Sequence, residues 1–218
     1  MSNRPRKTSA DGLRADERRA LQTLASPAGI QAHLDEIPYS AEPVYRSPRQ
    51  VLADRKAHCF DGAVFAAAAL RYLGFPPLLM DLGARRDDDH VLCLFRRRGL
   101  WGALAKSNCS GLRYREPIHR TLRELAMTYF EDYFNTVGEK SLRSYSTPVD
   151  LSRFEDQRWE VESAAMDRIA AALDAARHFP LLPAGASRRL AQVDKRSYAA
   201  GFLGSDQEGL YRPPPRRS

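Results

Sequence analysis

The strongest constraint on the fold is an apolar run that follows a single cysteine. Residues 57–75 read AHCFDGAVFAAAALRYLGF, with four consecutive alanines and apolar side chains on nearly every helical face. Such a helix is stable only when protein surrounds it, so the run predicts a central buried helix. Gly74, with Pro76 and Pro77 behind it, is typical of a helix end. Cys59, near the start of the run, is therefore either a packed residue or a reactive one.

The residues after this helix have the sequence character of β-strands. LLMDLG at 78–83, HVLCLFRR at 90–97 and LWGALAKS at 100–107 read as three strands, and an RRG turn separates the last two. We expect an antiparallel meander. Helices before the strands and further helices after them predict an α+β domain.

Other helices are expected on both sides of the meander. Ser-Pro pairs at 26–27 and 47–48 predict helix starts, because serine is a good N-cap and proline suits the first helical position. Pro117 predicts the start of a helix whose apolar and aromatic residues recur at helical spacing as far as Tyr133. Residues 157–177 predict one more long amphipathic helix.

The net charge of +7 lies at the two ends of the chain. Residues 1–20 carry six basic and three acidic side chains, and residues 188–218 carry seven and three. Residues 21–187 carry 21 of each sign, so the folded part is neutral overall. Without a recognisable reading motif, the basic ends predict at most weak, salt-sensitive contact with nucleic acid.

These patterns divide the chain into three parts. We expect a flexible basic N-terminus over residues 1–20, one domain over residues 21–180 and a mobile Pro- and Arg-rich tail over residues 181–218. No stretch reaches the roughly 18 apolar residues of a membrane helix, and the start lacks the apolar core of a secretion signal. Three cysteines without such a signal predict reduced thiols and a cytoplasmic protein.

Cys59 and His90 are the candidate catalytic residues. At the first turn of a helix, unpaired N–H groups and the helix dipole favour a thiolate and can hold an oxyanion. The alternative is that Cys59 acts as a small packed hydrophobe, as free cysteines usually do. His90 opens a strand 31 residues later, where a sheet packed on the helix would present its imidazole to the thiol as a general base.

The remaining cysteine and histidine residues do not predict a metal or cofactor site. Cys93 lies three residues after His90, so on a strand its side chain points to the opposite face and into the core. The side chain of His58 points away from that of its neighbour Cys59, and the sequence does not indicate four ligands that could converge on one metal ion. Cys109 is interpreted as a loop thiol. The sequence has neither GxxxxGK(S/T) nor GxGxxG, so we expect no nucleotide cofactor.

In these motifs the chain resembles the transglutaminase-like branch of the papain-like cysteine enzyme superfamily. The resemblance spans about residues 45–110 and rests on Cys59 heading its helix, His90 opening its strand and the GLWGALAKSN strand that follows. It implies a papain/transglutaminase-like α+β fold and a nucleophilic cysteine with a histidine and usually an aspartate. No cofactor is implied.

The third catalytic position has no acidic residue in this chain. It falls among residues 105–108, which are Ala, Lys, Ser and Asn. A two-residue hairpin at the RRG turn would set Ser107 opposite His90. Asn108 offers an amide oxygen that can accept the ring N–H, as in the Cys-His-Asn arrangement of papain-like proteases. Both residues remain candidates.

Two functions from different classes follow. The first is amide or peptide bond hydrolysis, or acyl transfer, through a Cys59 thioester with His90 as base, acting on a peptide, a protein or a small amide. The second is a catalytically inactive member of the same fold that binds a peptide or protein.

Overall fold

In a computed structural model of the chain, residues 12–214 are described. The helices are α1 (Ala15–Thr23), α2 (Pro27–Glu36), α3 (Pro48–Asp54), α4 (Cys59–Tyr72), α5 (Leu122–Met127), α6 (Ala164–Asp174) and α7 (Lys195–Gly201). The strands are β1 (Leu78–Ala84), β2 (His90–Arg97), β3 (Leu100–Leu104), β4 (Arg115–His119), β5 (Leu142–Ser146), β6 (Val149–Asp150) and β7 (His178–Pro180). Short 3-10 helices occupy Leu151–Gln157 and Ala186–Arg189.

The strands form one antiparallel sheet in the order β4-β3-β2-β1-β5-β7, with β6 pairing the first residues of β1. Helices α1 to α4 precede the sheet, and α4 packs on β1 and β2 while also contacting α1, α2 and α3. The chain is therefore α+β, as the sequence predicted.

Helix α4 is the centre of the larger core. Every residue from Phe60 to Leu70 is buried, which confirms the prediction made from the apolar run. On the facing strand β2, Val91, Cys93 and Phe95 pack on the α4 side, while the residues between them face a second core across the sheet. Although α4 is very apolar it has only 14 residues, and within residues 12–214 no helix is both long and apolar enough to cross a membrane.

The hairpin between β2 and β3 has the predicted two-residue turn. Arg98 and Gly99 have φ of 51° and 85°, and Arg97 pairs with Leu100. Positive φ at both turn residues matches the right-handed twist of the flanking strands. The ladder ends at Leu104, however, three residues short of the predicted strand.

The segment after the meander differs from the predicted helix. Pro117 lies inside strand β4, and the helix α5 begins only after Thr121, whose side chain accepts a hydrogen bond from the Glu124 N–H. Tyr129 lies in a turn and Tyr133 in irregular chain beyond α5, yet both are buried in the second core. Their helical spacing reflects burial against one sheet face and not a continuous helix.

The C-terminal third has more structure than the sequence indicated. Helix α6 covers eleven residues of the predicted 157–177, because a 3-10 helix and turns take up the first part. Residues 181–211, expected to belong to a mobile tail, include α7 and contact the rest of the chain. The N-terminal residues 1–11, part of the predicted basic terminus, lie outside the described residues.

Helix α4 approaches the chain that follows β3 closely at Gly62. A Cβ added at Gly62 would stand 2.3 Å from the Cβ of Lys106. The position of that Cβ is set by the main chain, so no side-chain rotation can relieve the contact. We expect Gly62→Ala to lower the free energy of unfolding by up to about 2 kcal/mol, because overpacking costs about 1–3 kcal/mol and the gain in helix propensity offsets only about 1 kcal/mol. Urea denaturation measures the change. Ala171→Ser on the exposed face of α6 is the control, and its free energy of unfolding should change by no more than about 0.5 kcal/mol. If Gly62→Ala stabilises the protein, the close contact between Gly62 and Lys106 is wrong.

Candidate active site

Cys59 is the first residue of α4, and a reciprocal cap fixes the start of that helix. The His58 N–H donates to the carboxylate of Asp61, while the Asp61 N–H donates to Nδ1 of His58. Burial, followed by the charge of Arg46, lowers the pKa of His58 to about 4. His58 is therefore a neutral capping residue at physiological pH.

A buried ion pair ties this helix start to the preceding loop. The main-chain N–H of Arg46 donates to Asp61 at 2.7 Å, and its guanidinium lies 3.5 Å from the same carboxylate. The guanidinium also bonds Ser40 and Asp54 at 3.1 and 3.0 Å. Burial raises the pKa of Asp61 to about 6 despite these donors. Asp61 is therefore largely ionised at neutral pH, and the loop is held against the N-terminus of α4.

His90 is held by a main-chain carbonyl. It is the first residue of β2, opposite Leu82 on β1, and its Nε2 lies 2.8 Å from the carbonyl oxygen of Leu112. A carbonyl can only accept, so Nε2 carries the proton and Nδ1 is the basic nitrogen. Burial lowers the pKa of His90 to about 4, so the ring is neutral. The Tyr133 ring packs against it in a T-shaped arrangement, with ring centroids 6.4 Å apart.

The Cys59 thiol is also neutral in this structure. Its Sγ donates a weak hydrogen bond to the carbonyl oxygen of Asp89 at 3.9 Å. Burial raises the pKa of Cys59 to about 11, and the charges of Asp81 and Asp88 add to this effect. Main-chain N–H groups of Val91 and Phe60 act in the opposite direction. The lowered pKa expected from the helix N-terminus is therefore wrong here, because burial and nearby carboxylates outweigh it.

Cys59 and His90 line one cavity of about 480 Å³. Of the described side chains around it, seven are carboxylic acids and none is lysine or arginine, although the whole chain carries a net charge of +7. The acids are Glu42, Asp81, Asp87, Asp88, Asp89, Asp174 and Glu208. Their negative potential disfavours a thiolate at Cys59.

Asp81 forms a second acid–base pair at this cavity that the sequence analysis missed. Its Oδ2 lies 3.0 Å from Nε2 of His178 on β7, and its N–H donates to Ser146. Burial raises the pKa of Asp81 to about 6. Burial alone would lower the pKa of His178, but the hydrogen bond that its ring donates to Asp81 raises it. A lone acid in the apolar strand LLMDLG was the available signal, whereas nothing in the sequence indicated its partner.

The two candidates for the third position bond elsewhere. Ser107 Oγ accepts the N–H of Cys109 at 3.0 Å, and the Asn108 amide pairs with the main chain of Asp206. The expected hydrogen bond from His90 to Ser107 or Asn108 is thus made to Leu112 instead.

The reason is that the chain leaves the sheet after β3. Both main-chain groups of Ala105 bond the side chain of Gln31 on α2, at 3.1 and 3.0 Å. The next residue, Lys106, is buried and donates to carbonyl oxygens of Leu34 and Ile37 at the end of the same helix. The main-chain groups of Ala105, which would otherwise have continued the β2–β3 ladder towards His90, are therefore hydrogen-bonded to helix α2.

No family model matches the chain, and no curated protein does. Among solved structures, two of Legionella pneumophila LapG are similar. One has 16% identity over 44% of this chain and 68% of that chain, with a TM-score of 0.33. The other, EGTA-treated, has 13% identity over 73% and 93%, with a TM-score of 0.39. Likeness at this level carries no argument about activity.

The electrostatic account of Cys59 makes a testable prediction. We expect its alkylation rate by iodoacetamide to keep rising up to about pH 10, since its pKa is raised to about 11. Asp88→Asn removes one of the charges that raise this pKa and should speed labelling about two- to threefold at pH 8 in low salt. Labelling is followed by mass spectrometry of the Cys59 peptide.

The control for this experiment is Asp156→Asn, an exposed acid on the 3-10 helix before α6, which should leave the rate unchanged. A wild-type rate that levels off below about pH 8.5 would show that Cys59 has the lowered pKa of an activated thiol.

Proposed function

We propose that the protein is a transglutaminase-like cysteine hydrolase or acyltransferase that forms a thioester at Cys59 with His90 as base. The observation that carries this proposal is that one cavity is lined by both a helix N-terminal thiol and an imidazole whose Nδ1 is left unprotonated. The substrate is a peptide, a protein or a small amide. The unpaired thiols of all three cysteines fit a reducing compartment such as the cytoplasm.

The proposed reaction starts from two neutral groups. Cys59 attacks the carbonyl carbon of the substrate while its proton passes to Nδ1 of His90, which gives a tetrahedral oxyanion and an imidazolium. Main-chain N–H groups in the first turn of α4, other than that of Asp61, which donates to His58, would hold the oxyanion. The intermediate collapses to a thioester as the imidazolium protonates the leaving amine. Water or an amine then releases the acyl group.

The Leu112 carbonyl takes over the orienting role that an aspartate has in the related triads. It fixes the tautomer and the plane of the ring, because it accepts the Nε2 proton at 2.8 Å. A carbonyl dipole stabilises the imidazolium less than a full negative charge would. We therefore expect slower turnover than a Cys-His-Asp site would give, and proton transfer coupled to the attack.

The alternative function is a peptide-binding module without catalysis. The raised thiol pKa and lowered imidazole pKa favour it, since both groups rest in their less reactive forms. Retention of an unprotonated Nδ1 beside the same cavity favours the enzyme.

Acyl-enzyme formation separates the two functions. We expect a peptide ester to leave an acyl adduct on Cys59 that intact-mass spectrometry detects, with no adduct in Cys59→Ser. His90→Gln should slow its formation about 10²–10⁴-fold, since the general base is lost. Cys93→Ala is the control and should still acylate, because that sulfur lies in the core between α4 and β2. If no adduct forms on any peptide ester, the protein is a binding module.

A further inference from the structure

Residues 204–211, named here the C-terminal strap, run along the edge of the cavity that contains Cys59. They follow α7, and Glu208, Gly209, Leu210 and Tyr211 are among the residues that line the cavity. The strap belongs to the region that the sequence predicted to be a mobile tail.

The strap is held mainly through its main-chain atoms. The Asn108 amide donates to the carbonyl oxygen of Asp206 and accepts the N–H of the same residue, both at 2.8 Å. Thr136 Oγ1 donates to the carbonyl oxygen of Tyr211 at 3.0 Å. These bonds recognise a polypeptide backbone and are independent of the side chains along it.

A glycine allows the strap to lie close to the cavity wall. A Cβ at Gly209 would come within 2.8 Å of the Tyr39 ring and 3.1 Å of the Asn108 amide nitrogen. Any other residue here would push the strap outward or displace the ring. The groove therefore accepts a small residue at this position.

The segment before the strap is anchored much more firmly than the strap itself. Tyr198 and Phe202 of the α7 region pack on the ring of Phe134, and Ser110 donates to the carbonyl oxygen of Ala200 at 2.7 Å. In contrast, residues 206–208 are exposed to solvent. An anchored base with an exposed, backbone-bonded end permits the strap to leave while α7 stays in place.

We propose that Tyr39, Asn108 and Thr136 form a groove for an extended polypeptide, and that the C-terminal strap occupies this groove and competes with the substrate. That the competing ligand is a substrate rests on the function proposed above. The ligand class is an unfolded peptide segment with glycine facing Tyr39. Asn108 is a binding residue whose amide pairs with the main chain of the bound peptide.

The test releases the strap without altering the groove. Gly209→Ala inserts a methyl group against Tyr39, and Asp206→Pro removes the N–H that Asn108 accepts. Loss of one such hydrogen bond should raise the open fraction about two- to tenfold. We expect Cys59 in each full-length variant to react faster with a bulky maleimide by that factor, with a larger factor in the double variant. The modified peptide is identified by mass spectrometry, which distinguishes Cys59 from Cys109.

A synthetic peptide of residues 204–213, GSDQEGLYRP, should slow the double variant back towards the wild-type rate, whereas the same peptide with alanine for Gly209 should not. Gln207→Ala is the matched control, since that side chain bonds only Ser205 among the described residues, and its rate should equal wild type. Buried Cys93 remains unlabelled if the variants are folded. If Cys93 is labelled in the double variant, that variant is not folded. The labelling rate of Cys59 in the single Gly209→Ala variant then tests the proposal.

Wild-type labelling rates in the folded release variants, or a peptide that has no effect, would overturn the proposal. Failure of the proposed function has a different signature. In that case the release variants label faster and the peptide competes, but no peptide ester acylates Cys59.

Discussion

The buried ion pair between Arg46 and Asp61 is the interaction on which the candidate site depends. The Asp61 side chain is fully inaccessible to solvent and that of Arg46 is 4% exposed. Loss of Arg46 would leave the buried Asp61 carboxylate without its cation, at a cost of about 3–5 kcal/mol, whereas loss of Asp61 would leave Arg46 paired with Asp54. The pair joins the loop that carries one wall of the cavity, including Tyr39, to the helix that carries Cys59. Cavity shape and nucleophile position are therefore fixed by the same contact.

Opposing electrostatic effects meet at Cys59. The helix N-terminus and main-chain N–H groups favour a thiolate, whereas burial and the carboxylates around the cavity favour the thiol. The second pair of effects is larger, so Cys59 and His90 are both neutral at rest. A site of this kind gains reactivity only when a bound carbonyl accepts the electrons of sulfur as the proton moves to the ring.

How much the sequence predicted depends on the range of the interactions. The central helix and the Arg98-Gly99 hairpin follow from local apolar pattern and turn chemistry, and both were predicted. The partner of His90 was not, because the chain after β3 is redirected by Gln31, 74 residues away. The C-terminal strap escaped prediction for another reason. It is bonded through main-chain atoms, which leave no side-chain pattern to detect.

The central claim is that His90 rests as a neutral imidazole with its proton on Nε2, held by Leu112, so that Nδ1 is the base. Nitrogen-15 NMR of the histidine rings across pH tests it most directly, with His90→Gln used to assign the signal. The account predicts an Nε2–H tautomer throughout the range from about pH 5 to 8, since the pKa of His90 is lowered to about 4. A protonated ring at pH 7, or a proton on Nδ1, would contradict it.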